Sequence, residues 1–331
     1  MQTPEIESQT RKRFPQLRDG ALEITEIDRT GSGRIFVRFA TEDQSASIMA
    51  MHYSLERAEN AAFAPITRFL ESRGVAVPAI EDESVEEQLL WITDLGRDDL
   101  WAYRDQDWPT VRRPLYQATL KAVSVLHQIT EDDAESVRLP ELQPCFDDAL
   151  YQWEQDYFFD HFAANFSTLD AAGIAAVRAA PSLDDLKIAL CSRTRRLIHR
   201  DLQSQNVMIR DGRPYLTVYQ GMRFGLPEYD LASLFYDPYL ELSETERDEL
   251  ARFYHETATD QDEPYEAFRE RLDRCTCQRL MQALGAYGFL SLVKNQRDYL
   301  DFIPTAVARL RSVAVDRGVL PILDEVLQVR D

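Results

Sequence analysis

The chain has 331 residues, 44% of them hydrophobic and 28% charged, enough for one large or two medium domains around a sizeable core. With 57 acidic against 37 basic side chains, its formal net charge is -20. That balance argues against a nucleic-acid backbone or an anionic membrane surface as partner, because both would repel it.

Residues 5–18 read as a short helix with Phe14 and Leu17 inward. Residues 21–27 alternate as a strand, residues 28–33 are a turn cluster, and Ile35, Val37 and Phe39 share one face of a second strand. After a polar turn, residues 46–53 form a third apolar strand, so an antiparallel meander is expected. A helix over residues 56–73 follows, with Phe63, Ile66, Phe69 and Leu70 at helical spacing and Gly74 as its C-cap. Residues 75–80 lead into a strand at 88–93, ended by Asp94-Leu95-Gly96. Beyond that point most of the pattern is helical: 108–130, an aromatic-rich helix at 146–166, 183–195, 228–237, 243–259, 264–286, 290–312 and a short piece near 320–329. The order predicts an α+β arrangement of two lobes. Residues 1–95 form an antiparallel sheet with a helix, residues 96–331 form a mostly helical lobe, and the boundary falls near 94–101.

No apolar run approaches the ~18–20 residues that span a bilayer. Residues 1–7 lack a basic segment followed by an apolar one, so no signal peptide is expected. Cys145, Cys191, Cys275 and Cys277 are too few and too scattered for a disulfide framework, and Cys275-Thr276-Cys277 lacks a second pair for a metal. A cytoplasmic compartment is the expectation.

The segment that carries chemistry is Leu197-Ile198-His199-Arg200-Asp201-Leu202-Gln203-Ser204-Gln205-Asn206-Val207. His-Arg-Asp, four residues and Asn is the spacing of a kinase-type catalytic loop, whose Asp accepts the proton of the attacking hydroxyl and whose Asn holds a metal. Phosphoryl transfer needs this much from a protein and little covalent help: a carboxylate to position the hydroxyl, and oxygen ligands for Mg²⁺.

Taken with Gly31-Ser32-Gly33, Trp91-Ile92-Thr93-Asp94-Leu95-Gly96, Pro227-Glu228-Tyr229-Asp230-Leu231-Ala232 and Leu284-Gly285-Ala286-Tyr287-Gly288, the loop resembles the aminoglycoside phosphotransferase and choline kinase family of the kinase-like fold. The resemblance spans nearly the whole chain and is nearest to bacterial kinases of the cell-wall amino sugars N-acetylmuramate and N-acetylglucosamine. It implies a bilobal kinase-like fold, ATP and Mg²⁺ as cofactors, and a small-molecule acceptor, a sugar or amino sugar. It makes Asp201 the catalytic base, His199 a buttress of the loop, Asn206 a metal ligand and Asp230 a brace. Gly31, Ser32, Gly33, Arg38, Asp94 and Leu95 fall on the nucleotide side, and Glu154 and Tyr157, i,i+3 on the aromatic helix, on the acceptor side.

Two departures stand out. The strand after the loop reads Tyr215-Leu216-Thr217-Val218-Tyr219-Gln220-Gly221 and puts Val218, which has no ligand atom, where the family has its second metal-binding Asp. Glu228 and Asp237 follow the strand as candidate substitutes, although nothing in the spacing brings them to that position. The third strand carries no lysine for the phosphates, since none lies between Lys12 and Lys121. Arg38 and His52 are the candidate replacements. Two readings follow: a working small-molecule kinase, or a degenerate kinase fold that binds nucleotide, metabolite or protein partner with little transfer.

Overall fold

The computed structural model describes residues 2–28, 34–56, 58–136, 142–258 and 263–330. Gly31, Ser32 and Gly33 lie outside the described residues.

Among the described residues one sheet has five strands in the order β1-β2-β3-β5-β4, all antiparallel: β1 (Leu22–Asp28), β2 (Arg34–Thr41), β3 (Ser47–Tyr53), β4 (Ile80–Ser84) and β5 (Leu89–Ile92). Strand alternation splits the side chains into two faces. Val37, Phe39, Ile48, Ala50, Leu89 and Trp91 meet Ile6 of helix α1 (Thr3–Arg13) and Leu17 just beyond it. The Trp91 indole donates to the Thr10 hydroxyl at 2.9 Å, satisfying a buried N–H. The other face, with Phe36, Met51, Tyr53, Leu90 and Ile92, packs on Phe63, Ile66, Phe69 and Leu70 of α2 (Phe63–Ser72). The sheet therefore has a helix on each side. The expected single helix over 56–73 is broken before Phe63, and Gly74 follows it with φ +78°, the left-handed cap that glycine adopts without strain.

Helices dominate after Gly96: α3 (Arg113–Leu126), α4 (Asp148–Phe158), α5 (Ala171–Arg178), α6 (Pro181–Cys191), α7 (Pro227–Phe235), α8 (Glu244–Ala258), α9 (Tyr265–Gly288) and α10 (Ile303–Ala314). Set among them are two small antiparallel sheets, β6 (Arg196–Ile198) with β9 (Arg223–Gly225) and the hairpin of β7 (Val207–Arg210) with β8 (Arg213–Leu216). This is the bilobal α+β arrangement. The two parts are joined by the Leu216 N–H to Ala76 O bond at 2.8 Å and by Arg210 Nη1, which donates to the Asp94 carbonyl at 2.7 Å.

Helix α9 is buried on nearly all sides, so its pattern is apolar and polar in turn rather than amphipathic. It crosses α4 and the wider turn Phe159–Ala163 at two glycines. A Cβ on Gly285 would lie 2.8 Å from the Tyr157 carbonyl, and one on Gly288 would lie 2.2 Å from the His161 oxygen. In an open helix, Gly→Ala stabilises by ~0.5–1 kcal/mol. Here the obstacle is backbone that cannot rotate away, so Gly288→Ala should destabilise by about 1–3 kcal/mol. A Tm equal to or above wild type in a calorimetric scan would show that the two helices separate freely.

Candidate active site

Strand β6 delivers His199, Arg200 and Asp201, and the turn Ser204–Asn206 brings Asn206 back beside them. The Asn206 side-chain amide donates to the Asp201 carbonyl at 2.9 Å. The Thr217 amide and hydroxyl both donate to the Asn206 carbonyl at 3.0 Å. With Nδ2 so engaged, Oδ1 is the Asn206 atom left for a ligand.

Asp230 is fully buried in the first turn of α7. Its two oxygens accept the amides of His199 and Arg200, each at 2.7 Å, and Oδ2 also takes the His127 imidazole at 3.0 Å. His127 Nδ1 in turn meets the Tyr254 hydroxyl at 2.7 Å. His199 is equally buried. Its Nε2 donates to the Thr217 carbonyl at 2.7 Å, and Nδ1 has no partner among the described residues. It joins the loop to the strand that follows and stays out of the cleft.

Asp201 faces outward, with its side chain 33% exposed. Arg200 Nη1 donates to Oδ2 at 2.8 Å, and Arg279 Nη2 of α9 lies 3.6 Å from Oδ1. Burial pushes the carboxyl up, but the guanidiniums of Arg200 and Arg279 and the Arg200 hydrogen bond outweigh it, so the group sits below its ordinary value. It is a carboxylate that remains ionised, within reach of a hydroxyl on its open side.

Beside this loop, under the sheet, lies an apolar cavity of about 290 Å³, bounded by Phe36, Met49, Ile92, Leu95, Met208 and Val218. Leu95 and Gly96 line it, where the resemblance puts the nucleotide. Arg34 is the charged side chain in its wall among the described residues.

Several expected site residues sit elsewhere. Arg38 Nε is buried against Asp94 at 2.8 Å, and its Nη2 reaches Gln44 at 2.9 Å. Asp94 also accepts the Gly96 amide, and its carbonyl takes Arg210. The pair fastens the segment between the lobes, so neither group is available to phosphates. His52 alternates onto the α1 face, with Ile35 and Leu89 as cross-strand partners, so it also misses the cleft. Burial pushes its pKa down. The cation that does face the cleft is Arg34. The signal was present in the alternation, since Arg34, Phe36 and Arg38 share a face.

Glu154, expected at the acceptor, is fully buried. The Tyr229 hydroxyl donates to Oε1 at 2.8 Å and Gln278 to Oε2 at 3.1 Å. Burial raises its pKa. The crossing of α9 over α4 covers it, so no acceptor reaches it in this structure. Tyr157 is half-buried and stacks on Trp153, ring centroids 4.9 Å apart and 15° between planes. Trp153 is 50% exposed and was not anticipated as part of an acceptor face. Glu228 pairs with Arg271 at 2.7 Å, and Asp237 accepts the Ser204 amide and hydroxyl at 2.9 and 2.7 Å. Both carboxylates are thus engaged by other partners, Asp237 bracing the loop from behind.

Val218 lines the cavity beside Thr217 and Tyr219. The expected strand over 215–221 stops at Leu216, because Val218 takes φ +61° and starts the turn Tyr219–Gly221. A β-branched residue there is a true outlier costing ~1–3 kcal/mol. Its neighbours impose the geometry. Thr217 is tied to Asn206 and His199. Tyr219 is buried, stacked on Phe63 at 5.2 Å, with its hydroxyl 2.6 Å from Thr67.

The donors therefore do not fit Mg²⁺ as the family holds it. That ion takes one or two protein carboxylates in near-octahedral oxygen coordination. Here Asn206 offers one amide oxygen, Val218 offers nothing, and Asp201 is engaged by arginines. Among the described residues no group of three or more His, Cys, Asp or Glu is arranged to hold a metal.

The sequence signature of the phosphotransferase enzyme family matches residues 26–268. The chain belongs to that family. This phosphotransferase is 24% identical over 309 residues to an N-acetylmuramate/N-acetylglucosamine kinase of Pseudomonas aeruginosa, covering 92% of this chain and 88% of that protein. Two solved structures share its fold. A choline/ethanolamine kinase family protein of Mesorhizobium loti superposes with TM-score 0.62 at 17% identity over 99% of each chain. A GDP-bound aminoglycoside 2'-phosphotransferase-IIIa variant gives 0.63 at 10% identity over 96% and 99%. The family placement expected from the loop and hinge motifs thus stands. Among the described residues no helix of this phosphotransferase is long and apolar enough to cross a membrane.

Proposed function

We propose that this phosphotransferase moves the γ-phosphoryl group of ATP to a hydroxyl of a sugar or amino sugar in the cytoplasm. The observation that carries the reading is the loop itself: an ionised, one-third exposed Asp201 beside Asn206, at the edge of an apolar cleft. In the reaction the acceptor oxygen forms a new bond to the γ-phosphorus while the bond to the β,γ-bridging oxygen breaks. The hydroxyl proton passes to Asp201, and ADP leaves. The amino-sugar acceptor is supported by the Pseudomonas relative and by the Trp153–Tyr157 stack, whose apolar face suits the carbon face of a sugar ring.

Val218 favours a second reading, a nucleotide- or metabolite-binding protein with little transfer. One assay separates the two. The purified chain is incubated with labelled ATP and N-acetylglucosamine, N-acetylmuramate, choline or an aminoglycoside. Label on an amino sugar is the expected result. Label on choline or the aminoglycoside alone would remove the sugar assignment, and no labelled product would leave the binding reading.

A further inference from the structure

Strand β9 opens with Arg223, just past the turn that carries Val218. Its Nε donates to the Gly221 carbonyl at 3.2 Å, and its guanidinium carbon stands 5.4 Å from the centre of the Phe146 ring. Phe146 is buried against Tyr151 and Tyr229, ring centroids 4.9 and 4.7 Å away, so an aromatic shelf supports the half-buried guanidinium on one side. Nη1 and Nη2 have no hydrogen-bond partner among the described residues, and no carboxylate pairs with them. The acidic groups around Arg223 are committed elsewhere. Asp201 is held by Arg200 and lies 3.6 Å from Arg279. Glu154 accepts from Tyr229 and Gln278, and Asp230 from His127 and the amides of His199 and Arg200. Glu228 pairs with Arg271. Burial, then repulsion from Arg200, pushes the Arg223 pKa below its ordinary value, and the charges of Glu154 and Asp201 offset this only in part.

The position of this cation selects its ligand. The wall of the apolar cavity includes residues 217–220 but not Arg223, which lies outside it on the side of Phe146 and Tyr229. Gly221 separates Arg223 from the proton acceptor. Its carbonyl takes Arg223 Nε, and a Cβ on it would lie 3.6 Å from Asp201 Oδ2. A molecule whose hydroxyl meets Asp201 can therefore extend another substituent past Gly221 to Nη1 and Nη2. A guanidinium edge matches a carboxylate through two charge-assisted hydrogen bonds. One such edge suits a monoanion, because Arg200, the next cation, is already engaged by Asp201. A chain of net charge -20 repels an anionic acceptor at long range, so such an acceptor requires a dedicated cation inside the site. We propose that the acceptor is a sugar acid, whose carboxylate is bound by Arg223 while Asp201 takes the proton of a hydroxyl elsewhere on the same ring. The inference rests on the sugar-phosphotransfer reading above and names the acceptor class within it. Arg223 is then a specificity residue, with no part in the bond-making step.

Steady-state transfer from ATP on the full chain tests this with N-acetylmuramate and its methyl ester, which differ in that one charge, and with N-acetylglucosamine, which lacks the substituent. In wild type, kcat/KM for the acid should exceed that for the ester by about tenfold or more, the scale of hydrogen bonds to a charged group. In Arg223→Met the acid should fall to within about threefold of the ester, through KM rather than kcat. Arg223→Lys should restore only part of the preference, since an ammonium lacks the planar fork. Melting curves that match wild type keep misfolding out of the comparison. If wild type uses the acid no better than the ester, the sugar-acid inference is wrong and the sugar-phosphotransfer reading survives. If Arg223→Met lowers acid and ester by the same factor, Arg223 supports the fold and does not read the carboxylate. If none of the three sugars is phosphorylated, the sugar reading fails and takes the inference with it.

Discussion

Replacing Asp230 by alanine is expected to lower the stability of the protein by about 3–5 kcal/mol, the usual loss when one partner of a buried charged network is removed. Three donors depend on that carboxylate: the amides of His199 and Arg200 and the imidazole of His127. Each would be left buried without an acceptor, at ~1–3 kcal/mol apiece before relaxation. The effect extends to the His199–Asn206 loop. Arg200 holds φ +74°, a left-handed conformation that a non-glycine residue keeps only when its surroundings enforce it, and the clamp on its amide is part of that enforcement. The variant should melt about 10 °C or more below wild type. Asp230→Asn keeps the shape and one acceptor oxygen and should recover part of the loss. A melting temperature for Asp230→Ala within a degree or two of wild type would mean that the loop is held by something else.

The second large effect concerns the chemistry, and it needs a pair of variants. Asp201→Asn retains the side-chain size and removes the proton acceptor, so transfer to the sugar should fall by ~10²–10⁴. Val218→Asp works in the opposite direction. Aspartate tolerates the left-handed backbone better than a β-branched residue, so the substitution should leave the melting temperature unchanged or slightly raised. It also places a carboxylate beside Asn206 at the metal position. Mg²⁺ should then accelerate transfer in this variant by ~10²–10³ relative to EDTA, the scale of one preorganised charge contact, and have a much smaller effect on wild type. Kinetics of both chains with and without EDTA decide the matter. Turnover by Asp201→Asn close to wild type would exclude the carboxylate as base, and indifference of Val218→Asp to Mg²⁺ would show that position 218 no longer addresses the phosphates.

Local pattern revealed much of the architecture and failed in places with physical causes. The meander strands, Gly74 as a cap and the family resemblance of the His199–Asn206 loop all depend on short-range spacing. Strand β4 was missed because Glu81, Asp82 and Glu83 look like a solvated loop, although charge on an outer strand is how a sheet edge is protected from pairing. Arg38 was misplaced for a different reason. Its partner Asp94 is 56 residues away, and nothing in the alternation reveals that contact. Glu154 and Tyr157 do share a helix face, but the depth of that face depends on how closely α9 approaches, and Gly285 and Gly288 set that distance. Arg279 had a readable signal, a cation among Leu280, Met281, Ala283 and Leu284, whose meaning required knowing that the helix is central.

The Tyr219 contact bears on how the enzyme moves. The ring is clasped by Phe63 and Thr67 of α2, so the turn that carries Val218 is fastened to the sheet side as well as to the helical side from which the chain enters it. Any opening of the cleft must either drag this turn away from Asp201 or tear an aromatic stack and a buried hydroxyl pair. Thr217 is held just as firmly to Asn206 and His199, so the turn pins α2 to the Asp201 loop, and the distance between α2 and Asp201 acts as a built-in gauge of closure. A fluorophore or spin-label pair spanning α2 and the catalytic loop would therefore report whether the site is assembled, independently of turnover.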